Sequence, residues 1–257
     1  MIFVAKIKRL IKEAWYLLLK IEVLLKTFWW KLLGGKTPSD HSIPIIINNF
    51  NRLDTLKQLI QSLESRGYRN IIILDNDSTY PPLLDYYQNL PFRVVHLGKN
   101  VGYMALWESG IYKEFRRSFY VYTDSDVVID SQCPDDFMHH FMDILRRYPY
   151  CMKVGFGIRI DDLPDHYKEK ESVIAWEKQF WKNEVEPDLY KAGIDTTFAL
   201  YRPYCKGGTS AHFVVRTGFP YVIKHLPWYQ DTANLTEEEM YYISHTKKAT
   251  FWTGRLQ

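Results

Sequence analysis

Three short β-branched and aromatic runs, at residues 43–47, 70–74 and 119–123, each give way to Asn or Asp, and helical patterns lie between them. The runs do not alternate apolar with polar residues, which marks strands buried on both faces. Residues 92–97 and 152–160 read as the third and fifth strands in chain order, expected to be buried on both faces like the others. Residues 53–64, 102–115 and 137–148 read as helices, the first with Leu53, Leu56, Leu59, Ile60 and Leu63 along one side. Strand–helix alternation of this kind predicts an α/β fold with a mainly parallel sheet flanked by helices. No repeat or low-complexity stretch interrupts the chain after residue 43, so 43–257 is expected to be one domain, a length that suits this class.

Ligands of such sheets bind beyond the carboxyl ends of the strands. Three ends are rich in polar residues: Asn48-Asn49-Phe50-Asn51-Arg52, Asp75-Asn76-Asp77-Ser78-Thr79 and Asp124-Ser125-Asp126. Asn, Asp and Ser also serve ordinary turns and helix caps. Three such ends on one side of a sheet exceed what turns alone require. At the third, two carboxylates one residue apart repel each other unless a divalent cation relieves them. Hard oxygen donors suit Mn2+ or Mg2+, which bind substrate phosphates and keep waters.

Residues 1–33 differ from the rest. Up to Lys36 the chain holds eight Lys or Arg against two acids, Glu13 and Glu22, a balance of +6, while the remainder is −3. Phe3, Ile7, Leu10, Ile11, Ala14, Leu17, Leu18, Ile21, Leu25, Phe28, Trp29 and Leu32 fall on one stripe at helical spacing, with Lys6, Arg9, Lys12, Glu13, Lys20 and Lys31 on the other side. Lys20, Glu22 and Lys26 interrupt the apolar run, which is too short to span a bilayer. The expectation is an amphipathic helix at a membrane interface, stopped by Gly34-Gly35 and joined to the domain by a linker over 34–42. The alternative is a helix packed on its own domain or a partner subunit.

Cys133, Cys151 and Cys205 are odd in number and widely spaced, without Cys-x-x-Cys, so neither a disulfide framework nor a zinc cage is expected. A reducing compartment follows, and with the basic helix it places the chain peripherally on the cytoplasmic side of a membrane. The overall charge of +3 gives no reason to expect nucleic acid.

At these motifs the sequence resembles the nucleotide-sugar glycosyltransferases of the GT-A fold, above all the family-2-like group. Residues 45–52 are similar to the family's opening strand, residues 73–79 to its second-strand motif, Asn100-Val101-Gly102 to its Asn-x-Gly segment, and Asp124-Ser125-Asp126 to its Asp-x-Asp. The resemblance implies a GT-A, Rossmann-like architecture and a metal-dependent enzyme that moves a sugar from a nucleotide-sugar donor, most simply a UDP-sugar. The acceptor it implies, given the helix, is a hydroxyl of a lipid-linked or cell-surface glycan. Asn48, Asn51, Arg52, Asp75, Asn76, Asn100, Gly102 and Asp124 would then line the donor, and Asp126 would ligate Mn2+ or Mg2+ beside Asp124. Asp77 stands where the family commonly has Gly.

The second half is similar more loosely. Residues 207–216 read as a Gly-rich turn entering a late strand. Thr236 and Glu239 form a capping box, so a helix starts there and Glu237, Glu238 and Glu239 serve its first turn. Asp231 precedes that helix where inverting relatives place their general base; Asp195 is the competitor. His245 is the candidate third metal ligand, from a set with His212 and His225. Two alternatives stay open: a haloacid-dehalogenase-like phosphatase, although Val128 stands where that fold has Thr, and a non-catalytic glycan- or nucleotide-binding module.

Overall fold

The computed structural model describes residues 2–195, 197–207 and 212–246, with side chains from Lys6 onward. A long helix, α1 (Ile2–Leu32), precedes the α/β body. In chain order the body contains β1 (Ile45–Asn49), α2 (Asp54–Glu64), β2 (Ile71–Asp75), α3 (Pro81–Gln88), β3 (Arg93–His96), α4 (Ala105–Glu108), α5 (Tyr112–Phe115), β4 (Tyr120–Asp124) and β5 (Val127–Ile129). It continues with α6 (Phe137–Arg147), β6 (Lys153–Ile158), α7 (Lys170–Glu177), β7 (Glu184–Glu186), β8 (Leu189–Lys191), β9 (Ala199–Tyr201), β10 (Val215–His225) and α8 (Glu237–His245).

Among the described residues the strands form one sheet in the order β3-β2-β1-β4-β9-β6-β10-β8-β7, with β5 added to β10. β3, β2, β1 and β4 pair in parallel, as do β6 and β10. The expected α/β class holds, and this mostly parallel sheet between helices is the GT-A arrangement. β9 lies antiparallel between β4 and β6, a strand the sequence reading does not contain. Side chains alternate across the sheet. Ile45, Ile47, Ile71, Ile73 and Val121 pack towards α2 and α6, while Ile46, Ile72, Leu74, Tyr120 and Tyr122 pack towards α4 and α5.

Two expectations need correction. The helix expected over 102–115 is broken: a 3-10 turn at Gly102–Met104 leads into α4, and Gly110 at φ 82° separates α4 from α5. Only a residue without Cβ takes that conformation at little cost. The third strand is not buried on both faces, because β3 is the sheet edge and its pattern is half-exposed. The Gly-rich turn falls at 208–211, outside the described residues, and the late strand begins at Val215.

α1 is docked on the body. Val23 is buried with Met152, Cys205 and Val214, and Trp30 stacks edge-on against Phe119 while its indole N–H donates to Arg117 O at 2.9 Å. Gly34, at φ 81°, ends the helix in the left-handed turn expected of a glycine stop.

Candidate active site

The parallel pairing brings three polar strand ends level. Asn48 is in register with Leu74 on one side and Asp124 on the other, and Asn49 with Asp75. Asn48 Nδ2 donates to Asp124 Oδ1 at 3.3 Å, and Asn48 Oδ1 is buried without a partner. The expected donor residues Asn48, Asp75, Asn76 and Asp124 are therefore neighbours on one rim.

Several of them are already engaged. Asp75 accepts from Tyr87 Oη at 3.3 Å and lies 3.1 Å from His96 Nδ1. Burial first, and the Asp75 charge second, push the Tyr87 phenol well above its ordinary range. Asn76 donates to Gly102 O at 2.9 Å and accepts from Val101 N at 2.8 Å, so it clamps the segment that follows β3 over the end of β2. Asn100 closes that segment by accepting from Gly102 N at 2.9 Å. Asn51, at φ 51°, accepts from Thr79 N and Tyr80 N at 2.7 and 3.0 Å and joins the first loop to the second. Asp77 sits at φ 72°, where Gly is the easier residue and Asp is tolerated.

Asp126 lies just past β4. β10 ends with His225 in register with Val127, and Leu226 N donates to Asp126 O at 2.8 Å. His225 Nε2 is consequently 3.5 Å from Asp126 Oδ2. Burial would raise the Asp126 carboxyl, but His225 and then Arg52 outweigh it and hold the group below its ordinary value, ionised. His225 Nδ1 is buried without a partner. The carboxylate is a hard donor that suits Mn2+ or Mg2+, and the imidazole beside it fits a transition-metal ion such as Mn2+ better than Mg2+. Among the described residues no three His, Cys, Asp or Glu side chains converge as around a metal ion. His245, the histidine favoured from sequence, ends α8, where Nδ1 is 2.8 Å from Tyr241 O and the ring stacks on Tyr241 at 3.9 Å.

Arg52 does not present its guanidinium to an open pocket. It is buried, pairs through both terminal nitrogens with Glu239, and stacks 3.7 Å over the Tyr242 ring. Glu238 Oε2 accepts from Leu53 N and Asp54 N at 2.7 and 2.8 Å and so caps α2. Thr236 caps α8 as expected, accepting from Glu239 N at 3.2 Å. The two following glutamates thus do more than favour the helix dipole: they fasten α8 across the end of β1. Arg52, expected on the donor, is spent on this contact, and the Glu239 carboxylate goes to Arg52 instead of closing the capping box with Thr236.

The two candidate bases differ. Asp231 is exposed, accepts from Ala233 N at 2.9 Å and Asn234 Nδ2 at 2.7 Å, and these bonds hold its pKa below the ordinary value. That is a turn residue's environment. Asp195 is also exposed, and it acts with Asp124 on one phenol: burial first, then the charges of Asp195 and Asp124, push Tyr201 up. Its main-chain oxygen accepts from the buried Lys153 Nζ at 3.2 Å.

The family model of glycosyl transferase family 2 matches residues 45–205, more than half of the chain and every donor-side motif. The chain belongs to this family and is a glycosyltransferase. Solved structures similar to it include S. aureus TarS, at 14% identity and TM-score 0.44, matched over 71% of this chain and 36% of that one. Another is GalNAc-T7 with UDP, GalNAc and Mn2+, at 14% identity and TM-score 0.43, over 72% of this chain and 43% of that one. This chain thus spans less than half the length of either. No curated protein matches it in sequence.

Proposed function

We propose that the enzyme transfers a sugar from a UDP-sugar to a hydroxyl of a glycan acceptor, with Mn2+ or Mg2+ held by Asp126 and His225. The observation that carries this reading is the meeting of Asn48, Asp124, Asp126 and His225 where β1, β4 and β10 end. Asn48 orients Asp124, whose carboxylate faces the donor ribose or a metal-bound water. Asp75, Asn76, Asn100 and Gly102 shape the nucleotide pocket, with Asn51 fixing its two loops. Arg52 acts from behind, adding positive charge near Asp126. A bound divalent cation supplies charge neutralisation for the departing diphosphate. Asp195 accepts the acceptor hydroxyl's proton, because its carboxylate, like that of Asp124, is near enough to raise the Tyr201 phenol, while that of Asp231 is spent on a turn. The division into a membrane-interface helix at 1–33, a linker at 34–42 and a catalytic domain at 43–257 belongs to this proposal. So does a peripheral place on the cytoplasmic side of a membrane, which three free, buried thiols support. Among the described residues no helix is long and apolar enough to cross a membrane.

Calorimetric titration of UDP-sugars with and without Mn2+, beside an assay of UDP release, tests the reading. Metal-dependent binding with slow UDP release is expected. Binding without any turnover would favour a non-catalytic module, and release of inorganic phosphate from monoesters would favour the phosphatase.

A further inference from the structure

α1 docks with the wrong side for a helix that merely completes its own domain. The side facing the body carries Leu19, Lys20, Val23, Lys26 and Trp30, with Lys20 over the Tyr150 ring at 4.5 Å and Glu22 3.3 Å from His212. At 3.6 residues per turn the apolar stripe lies on roughly the opposite side. Leu18, Ile21, Leu25, Phe28 and Leu32 on that stripe are between 40% and 62% exposed. A soluble domain rarely leaves so long an apolar row uncovered. Residues 6–15 are exposed on every side, so the first half of the helix extends past the body.

The place of docking is equally specific. The partners of α1 are Arg117 and Phe119 before β4, Met152 before β6, and Val214 before β10. These are the starts of the parallel strands. Asp124 and His225 are at their far ends. α1 therefore runs across the base of the sheet, with its free face directed away from the active site.

We infer that this face seats the enzyme on an anionic bilayer with the active site pointing away from it, so that the acceptor is a distal hydroxyl of an extended glycan. The inference rests on the glycosyltransferase reading for the word acceptor and on geometry for the orientation. One five-residue strand rises about 17 Å and a helix is about 10 Å thick, which puts the site about 25 Å from the lipid surface. A sugar attached directly to a lipid headgroup does not reach it. Charge selects lipid over a second copy of the chain. Lys6, Lys8, Arg9 and Lys12 against Glu13, all exposed on the part of α1 that projects past the body, repel an identical segment and attract phosphatidylserine, whereas Lys20 and Lys26 face the body. Lys36 and Arg117 line a cleft with Trp30, Leu33 and Tyr204 at the same base.

The three native cysteines are buried, so an introduced surface cysteine takes a fluorophore selectively. Full-length Leu17→Cys and Lys99→Cys place the label on the free face of α1 and on the loop beyond β3, at the active-site end. With phosphatidylcholine vesicles containing phosphatidylserine, the first label is expected to be quenched by nitroxide lipid and the second to stay in water. Leu18→Asn with Phe28→Asn, both exposed, should weaken vesicle partition roughly 100-fold, about tenfold for each buried side chain lost. Quenching at Lys99→Cys but not Leu17→Cys would reverse the orientation and overturn the inference. So would wild-type protein that ignores vesicles, or one that sediments as a dimer which the double variant dissolves. UDP-sugar calorimetry on the same samples tests the glycosyltransferase reading separately, since no vesicle measurement depends on transfer.

Discussion

His225 Nε2 faces Asp126 Oδ2 at 3.5 Å because the last residue of β10 is in register with Val127. If the two share a divalent cation, Asp126→Ala and His225→Ala should each lower transfer by roughly 10²- to 10³-fold, the scale of losing one transition-state stabiliser. Both should also weaken Mn2+ binding, measured by electron paramagnetic resonance in the presence of UDP. His245→Ala should leave the Mn2+ signal unchanged. Equal loss in all three variants would remove the assignment of His225.

The base is read by separating donor binding from transfer. Asp195→Asn should keep UDP-sugar affinity near normal and reduce single-turnover transfer by roughly 10²-fold or more, the usual contribution of a general base. Asp231→Asn should cost little, since its carboxylate already serves Ala233 N and Asn234 Nδ2. The opposite pattern would return the role to Asp231. Full transfer by both variants would argue for a reaction without a side-chain base.

The sheet and its polar rim were legible because strands buried on both faces must be continuously apolar, and their Asn and Asp ends stand out against that background. β9 was not, since three residues at Ala199–Tyr201 carry no period. The helix over 102–115 was misread where a single backbone angle, φ 82° at Gly110, decides the break. The pairings of His225 and Glu239 were not legible for another reason. Their partners, Asp126 and Arg52, are fixed by strand register and by the docking of α8, which are long-range facts that local pattern does not hold. The stripe of α1 was read correctly as apolar, yet its uncovered state depends on which side the body takes.

Glu239 and Arg52 form a buried pair that ties α8 to the first loop of the site. Removing one partner leaves an uncompensated charge, so Glu239→Ala should lose about 3–5 kcal/mol of stability. Glu238→Ala removes only the cap of α2 and should lose about 1 kcal/mol. Urea unfolding of both variants checks the order. A smaller effect for Glu239→Ala than for Glu238→Ala would mean that Arg52 finds another partner.

Lys153, the first residue of β6, is buried with its ammonium donating to Ile194 O, Asp195 O and Tyr201 Oη at 2.7, 3.2 and 2.9 Å. Burial dominates over these contacts and pushes its pKa down to about 7 from 10.5. The unfolded chain therefore binds more protons than the folded one between about pH 7 and 10.5, and in that window this lysine makes stability rise with pH. Other buried groups act in the opposite sense higher up. Burial raises Cys133 and Cys151 to about 12 and Cys205 to about 11 from 9.0, so each makes stability fall once pH passes 9. Buried phenols such as Tyr120 and Tyr201 add to that fall above 10. The lysine's contribution is thus best isolated between pH 7 and 9, as the difference between wild type and Lys153→Met. Urea midpoints across this range should climb for wild type relative to the variant, by on the order of 2 kcal/mol over the two pH units. Parallel pH profiles for the two proteins would show that Lys153 keeps its ordinary pKa in the folded state.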